Sequence, residues 1–90
     1  MPVVWIPSLL RSLTGGQEKI TVPGRTVREV IEDLERQFPG TKARLCDADQ
    51  LRPGIAVAIN AQVARRGLGE TVSDNSEVHF VAAIGGGEKK

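Results

Sequence analysis

Short runs of β-branched and aromatic residues, separated by turn residues, predict the strands of a β-sheet. The first run, 3–6, is closed by Pro7, and the second, 18–22, alternates polar and apolar residues with a period of two. The turn residues at 14–16 between them predict that the two runs form a β-hairpin. Further strands are predicted at 55–59, at 62–64 after a tight turn at 60–61, and at 77–84.

A different spacing, typical of one face of a helix, begins at Val27. Thr26 and Glu29 have the form of a capping box, which predicts Thr26 as the N-cap and Glu29 as the side chain that reaches back to it. Residues 39–40, Pro-Gly, end the helix, and a short helical turn is expected at 42–46. The apolar positions of the main helix are Val27, Val30, Ile31, Leu34 and Phe38. The other face is expected to carry the charged residues Arg28, Glu29, Glu32, Asp33, Glu35 and Arg36.

The order of these elements predicts an α+β fold with a mixed four- to five-stranded sheet packed on one main helix, the last strand beside the first. The positions expected to face the helix are Val4, Ile6, Ile55, Val57, Ile59, Val78 and Phe80. The opposite face then carries Trp5, Ala56, Ala58 and Val81, a mildly apolar surface suited to docking a partner with Trp5 as an anchor. Scattered exposed apolar residues are equally consistent with this pattern.

Composition restricts the class of protein. Ninety residues make one domain, and twelve basic against eleven acidic residues, interspersed, predict no nucleic-acid or membrane partner. The single cysteine, Cys46, excludes an internal disulfide and favours a reducing compartment. The chain has no long apolar segment and no signal-peptide pattern, so we expect a cytoplasmic location.

Candidate catalytic residues are scarce. The chain has one histidine, one cysteine, no metal-ligand spacing and no phosphate-binding loop, so we expect no catalytic residue, no metal site and no independent enzyme. Cys46 is interpreted as a small buried apolar residue, and His79 as facing solvent or a partner.

The last strand is followed directly by Gly85, Gly86 and Gly87 and then by the charged residues 88–90. Glycine has no Cβ, so such a segment can thread a narrow channel that rejects other side chains. Fully extended, the chain from Ala82 to Gly87 reaches on the order of 20 Å. We therefore predict a folded domain at 1–84 and a flexible C-terminal tail at 85–90 that is presented to a partner.

These features together resemble the ubiquitin-like β-grasp sulfur carriers of the MoaD/ThiS family. Residues 6–16 look like the first hairpin of the CysO-type branch, which serves cysteine biosynthesis, and residues 26–34 look like the family helix. Residues 73–78 stand at the family's Asp-Gly-Asp-Glu-Val turn, from which they depart at Asn75 and Ser76. The family's ending, an apolar strand and then Gly-Gly, falls on residues 80–87.

The resemblance implies a mechanism. An E1-like enzyme of the MoeB/ThiF type would use ATP to adenylate the carboxylate of Gly87, or of Gly86 in the competing register, and sulfur would then give a thiocarboxylate for a sulfur-accepting synthase. The carrier itself would bind no cofactor. Residues 88–90 block that carboxylate, which implies a removable extension and a JAMM-type metallopeptidase that trims it.

Three other functions are consistent with the sequence. The first is the small subunit of molybdopterin synthase, and the second is a ubiquitin-like modifier whose activated glycine is attacked by a lysine. The third is a β-grasp interaction domain with an inert tail.

Overall fold

The computed structural model describes residues 1–82 of the chain, and residues 83–90 lie outside the described part. In chain order the strands and helices are β1 (Val3–Trp5), β2 (Lys19–Thr21), α1 (Val27–Gln37), α2 (Thr41–Leu45), β3 (Cys46–Asp47), β4 (Gln50–Leu51), β5 (Ile55–Ile59), β6 (Gln62–Val63) and β7 (Glu77–Ala82). Short 3₁₀ helices lie at Ser8–Leu10 and Gly67–Gly69. No helix among residues 1–82 combines the length and the apolar character needed to cross a bilayer.

Five strands form one mixed sheet in the order β2-β1-β7-β5-β6. β1 and β7 pair in parallel, whereas the other neighbours pair antiparallel. The predicted α+β fold and the predicted pairing of the last strand with the first are therefore confirmed. β7 lies at the centre of the sheet, and its last described residue, Ala82, pairs with Ile55 at the start of β5.

One face of the sheet packs on α1, as the alternation predicts. Val4, Val57 and Val78 are at most 1% exposed, and they contact a core to which α1 contributes four fully buried side chains. Ile55 and Ile59 are partly buried against the same core. Those four helix residues are Val27, Val30, Ile31 and Leu34.

The start of α1 differs from the predicted capping box in one bond. Thr26 Oγ1 accepts a hydrogen bond from the Glu29 N–H at 3.2 Å, as expected of an N-cap. The Glu29 carboxylate, however, accepts from the backbone N–H of Arg25 at 2.9 Å and not from that of Thr26. A backbone bridge between Thr26 and Thr71 anchors this turn to the loop before β7, which positions Arg25 nearest the carboxylate.

Asp33, expected on the polar side of α1, is buried, with 6% of the residue exposed. Its Oδ1 accepts from Arg36 at 3.0 Å, and its Oδ2 faces the loop that precedes the helix. A Cβ on Gly24 in that loop would lie 3.0 Å from Oδ2 and 2.6 Å from the backbone nitrogen of Val30. Only glycine fits there, and this close approach is what covers Asp33.

Three element boundaries also differ from the sequence prediction. β1 ends at Trp5, although the Ile6 N–H still donates to the carbonyl of Glu18 at 2.8 Å. The connection to β2 is no tight turn, because the 3₁₀ helix at Ser8–Leu10 buries Leu10 in the core. The helical turn expected at 42–46 is α2, and Cys46 instead begins the two-residue strand β3, which pairs with β4.

Candidate functional site

The candidate docking surface is the sheet face directed away from α1, which we call the outer face. Strand register places one residue from each of the five strands in a single row across it. From β2 to β6 that row is Lys19, Trp5, His79, Ala58 and Val63. Side chains alternate between the faces of a strand, so each row member neighbours a residue of the buried face in its own strand.

Trp5 is held in place by three neighbours. Its ring stacks on His79 with 5.5 Å between ring centroids and 9° between planes. Its Nε1–H donates to Glu77 Oε1 at 3.2 Å, and Lys19 Nζ lies 5.3 Å from the ring centroid. Stacking and cation–π contacts each contribute about 0.5–1.5 kcal/mol in typical cases. The indole is therefore half-buried and held in one orientation, and its role as a docking anchor stays a prediction.

The three other predicted surface residues lie on the same face. Ala56 pairs with Val81 in the row next to Trp5, and Ala58 pairs with His79. Val81 is 41% exposed, and Val63 at the edge of the sheet is 65% exposed. The structure thus brings the four predicted residues together, and their role in docking stays a prediction.

Sequence reasoning did not assign Lys19 and Val63 to this surface, whereas His79, expected to face solvent or a partner, does lie on it. The period-two pattern already placed His79 in phase with Val81, a signal for the correct face. For Lys19 and Val63 the missing information was register, because only the pairing of their strands with β1 and β5 places them in one row with Trp5.

An apolar groove of about 200 Å³ lies at the end of the sheet where β7 reaches Ala82. One wall comes from the segment after β1 and the other from the start of β5. Its lining residues are Pro7, Ser8, Leu9, Leu45, Gly54, Ile55, Phe80 and Val81. The groove therefore lies beside the end of the described part of β7.

The predicted reactive position, Gly87 with Gly86 as alternative, and the threading residue Gly85 lie outside the described residues, as does the extension 88–90. These assignments stay predictions. What the structure describes is the strand that leads to them, which pairs with β1 as far as His79 and with β5 as far as Ala82.

Burial accounts for Cys46, and an ion pair accounts for Lys42 and Glu32. Cys46 is 7% exposed, and burial raises the pKa of its thiol, which matches the prediction of a small buried residue. Lys42 Nζ donates to Glu32 Oε2, and this contact lowers the pKa of the Glu32 carboxyl and raises the pKa of Lys42. Within residues 1–82 no group of three acidic, histidine or cysteine side chains is placed to hold a metal ion.

Comparison with known proteins agrees with this architecture. The ThiS family model matches residues 4–87. The sulfur carrier protein CysO of Mycobacterium tuberculosis is 34% identical over 89 residues, which cover 93% of this chain and 96% of the relative.

Two solved structures are similar over nearly the whole chain. The crystal structure of the Amycolatopsis orientalis BexX/CysO complex contains a chain with a TM-score of 0.87 and 36% identity, covering 97% of this chain and all of that one (100%). Crystalline CysO of M. tuberculosis gives a TM-score of 0.85 and 31% identity, covering 93% and 100%. The chain therefore belongs to the ThiS family and is similar throughout its described fold to the CysO sulfur carrier proteins.

Proposed function

We propose that this protein is a sulfur carrier that delivers sulfur, as a C-terminal thiocarboxylate, to the biosynthesis of cysteine or a related metabolite. The observation that carries the proposal is the position of β7. This strand is the central one of the sheet, and its sequence continues within three residues into Gly85, Gly86 and Gly87. The described part of β7 thus ends at Ala82 in the middle strand of the sheet, and the glycines follow it in the sequence. Similarity to CysO favours the cysteine branch over molybdopterin synthesis.

The chemistry takes place on the carboxylate of the last retained glycine. That carboxylate attacks the α-phosphorus of ATP in an E1-like partner, pyrophosphate leaves, and the acyl adenylate forms. A hydrosulfide equivalent from a sulfur donor then attacks the acyl carbon, and AMP leaves with the former carboxylate oxygen. The product at Gly87 is a thiocarboxylate. The ATP and the catalytic groups belong to the partner, and the carrier supplies the acyl group and the surface that aligns it.

The extension at 88–90 has to be removed first, because in the full chain the Gly87 acyl carbon is part of the peptide bond to Glu88. A metallopeptidase of the JAMM type is the proposed trimming enzyme. Hydrolysis of that one peptide bond frees the carboxylate and releases Glu88-Lys89-Lys90.

The outer face is the proposed docking surface for the adenylating enzyme and for the sulfur-accepting synthase. Its centre combines the fixed Trp5 ring with small or apolar neighbours at Ala56, Ala58 and Val81. Rigid aromatic side chains at the centre of a patch are the usual energetic anchors of protein interfaces. That a related CysO crystallised in a complex with BexX supports a carrier that works through protein partners.

The test uses chain 1–87 and the full chain side by side, each incubated with the E1-like enzyme of the same organism, ATP and a sulfide donor, and then measured by intact mass. We expect chain 1–87 to exchange one oxygen for sulfur and the full chain to stay unchanged until the peptidase is added. The double variant Gly86→Ala, Gly87→Ala of chain 1–87 should lose the reaction, because two methyl groups obstruct the channel. If that variant accepts sulfur as well as its parent, the proposal is wrong.

A further inference from the structure

An open groove of about 590 Å³ lies beside strand β6, on the α1 side of the sheet edge, and we call it the β6 groove. Its lining includes Ile59 and Ala64, which pack against the core, and its most buried lining residue is Ser76, at 3% exposure. Arg65 and Arg66 also line it, and both are exposed. The groove therefore presents two arginine side chains at the edge of the sheet.

β6 forms one edge of the sheet, with β5 on one side and no strand of residues 1–82 on the other. Val63 pairs with Ala58, and the next residue, Ala64, donates its N–H to the Val57 carbonyl at 2.8 Å. In an antiparallel pair, residues whose N–H and C=O bond to the neighbouring strand alternate with residues whose groups point away from it. The main-chain N–H and C=O of Val63 therefore point outward, where another strand can bond to them.

The lining of the β6 groove is net positive. Neither Arg65 nor Arg66 takes part in an ion pair among residues 1–82. Glu70, the acidic residue of the lining, accepts from the backbone N–H of Arg66 at 3.4 Å with its Oε1. Guanidinium groups bind carboxylates through strong, charge-assisted hydrogen bonds. The groove is therefore complementary to an acidic ligand.

We propose that an extended acidic segment of a partner protein adds to the sheet as a strand beside β6. Its main chain pairs with that of Val63, as in other complexes formed by strand addition. The segment alternates apolar and acidic residues. Its apolar side chains pack beside Val63 on the outer face, where this valine is 65% exposed, and its carboxylates point into the β6 groove toward Arg65 and Arg66.

Charge favours this occupant over a second copy of the chain. The other edge strand, β2, carries Lys19, and two β6 strands side by side would bring the arginines of both copies together. Nucleic acid would bind the arginines and leave the main chain of Val63 unpaired.

The β6 groove lies far from the described end of β7. Ile59, in its lining, pairs with Val78 near the start of β7, whereas Ala82 pairs with Ile55 at the other end of β5. Four residues of strand separate the two pairs, a distance of about 13 Å. A partner in the groove is thus seated away from the end of β7, and the inference is independent of the proposed sulfur chemistry.

The test is an amide NMR titration of the full chain with a short synthetic peptide that alternates glutamate and valine and has blocked ends. We expect saturable binding that shifts the Val63 amide and gives nuclear Overhauser contacts between that residue and the peptide main chain. The double variant Arg65→Gln, Arg66→Gln should bind at least about tenfold more weakly, because both charge pairs are lost. The matched control, Arg11→Gln with Arg44→Gln, removes two exposed arginines outside the groove and should bind like the parent.

A parent chain that does not bind the peptide overturns the inference, and so does an Arg65→Gln, Arg66→Gln variant that binds as the parent does. Unchanged amide signals across β7 establish that this variant is folded. A peptide N-methylated at every residue should lose binding, because it has no main-chain donors, and equal binding of that peptide overturns strand addition. Shifts confined to Lys19 and Thr21 also overturn the proposal, since the peptide is then at the other edge of the sheet.

Two further outcomes identify a different occupant and overturn the proposal. Oligothymidylate that binds the groove more tightly than the peptide would indicate nucleic acid. A dimer of the chain alone, with contacts at Val63 between differently labelled copies, would indicate a second copy. Sulfur transfer to chain 1–87 is measured separately, so failure of peptide binding overturns this inference alone.

Discussion

The two faces of the sheet are made from alternate residues of the same strands, yet their environments differ sharply. Val4 and Val78 are fully buried against the core, and their neighbours Trp5 and His79 are stacked on the outer face. On the buried face, aliphatic side chains pack against a helix, and their contribution to stability depends on their volume and shape. The outer face is held by directional contacts, namely a ring stack, an indole hydrogen bond and a cation over the ring.

This difference indicates which face of the sheet can bind a partner. The buried face packs into the hydrophobic core of residues 1–82, so a change there alters stability. The outer face contributes less to stability, which leaves it available for binding. The two faces should therefore respond to substitution in opposite ways, and adjacent residues of one strand provide matched pairs to test this.

The largest expected change in stability comes from a substitution in β7. Phe80→Ala removes a ring that is 5% exposed, and we expect the free energy of unfolding to fall by about 3–5 kcal/mol. Val81→Ala, one residue further and 41% exposed, should change it by no more than about 0.5 kcal/mol. Urea denaturation of both variants measures the difference. Equal losses would contradict the distinction between the faces.

Two glycines show the same contrast between a tightly packed position and an open one. A Cβ on Gly24 would meet the Val30 backbone nitrogen at 2.6 Å, whereas one on Gly69 would meet nothing within 4 Å. We expect Gly24→Ala to destabilise the fold by about 1–3 kcal/mol through overpacking. Gly69→Ala should change the stability by no more than about 0.5 kcal/mol. A neutral Gly24→Ala variant would show that the loop can move away from α1 at little cost.

On the outer face, stability and activity should separate. Trp5→Ala loses the His79 stack and the Glu77 hydrogen bond, and we expect stability to fall by about 1–2 kcal/mol. We expect kcat/KM for adenylation of chain 1–87 to fall about tenfold or more, since loss of an interface anchor costs at least about 1.4 kcal/mol. Thr21→Ala, an exposed change at the edge strand β2, is the control. Unchanged adenylation of the Trp5 variant would remove Trp5 from the docking surface.

The smallest expected effect is electrostatic and lies on the surface of α1, away from both faces. The Lys42 contact lowers the pKa of Glu32, so its contribution to stability is present above the unfolded pKa of a glutamate and is lost as pH falls through the folded value. The raised pKa of Lys42 has the opposite pH dependence. Its contribution to stability is present below the unfolded pKa of a lysine and is lost as pH rises through the folded value. Urea midpoints from acid to alkaline pH should show both small losses, and Glu32→Gln should lack them. A variant with the same pH profile as its parent would assign the losses to other groups.

Much of the fold could be predicted because its signals are local. The period-two runs, the spacing of α1 and the Thr26 cap each lie within a few residues, and the structure confirms them. The predicted family and the predicted similarity to the CysO sulfur carriers are confirmed by the comparisons. The wrong details depended on distant contacts. The Glu29 carboxylate binds the Arg25 N–H because the bridge to Thr71 fixes that turn, and Asp33 is buried because the Gly24 loop crosses it.

By itself the sequence determined the approximate positions of the strands of the main sheet and of α1, which side of each strand is apolar, and that three glycines follow the last strand, since all of these follow from residues close together along the chain. Tertiary structure alone decided that Lys19, Trp5, His79, Ala58 and Val63 share one row and that an apolar groove opens beside the end of β7. Strand order and register decide both, and they are set by how five strands pack together on one helix, which no local pattern specifies.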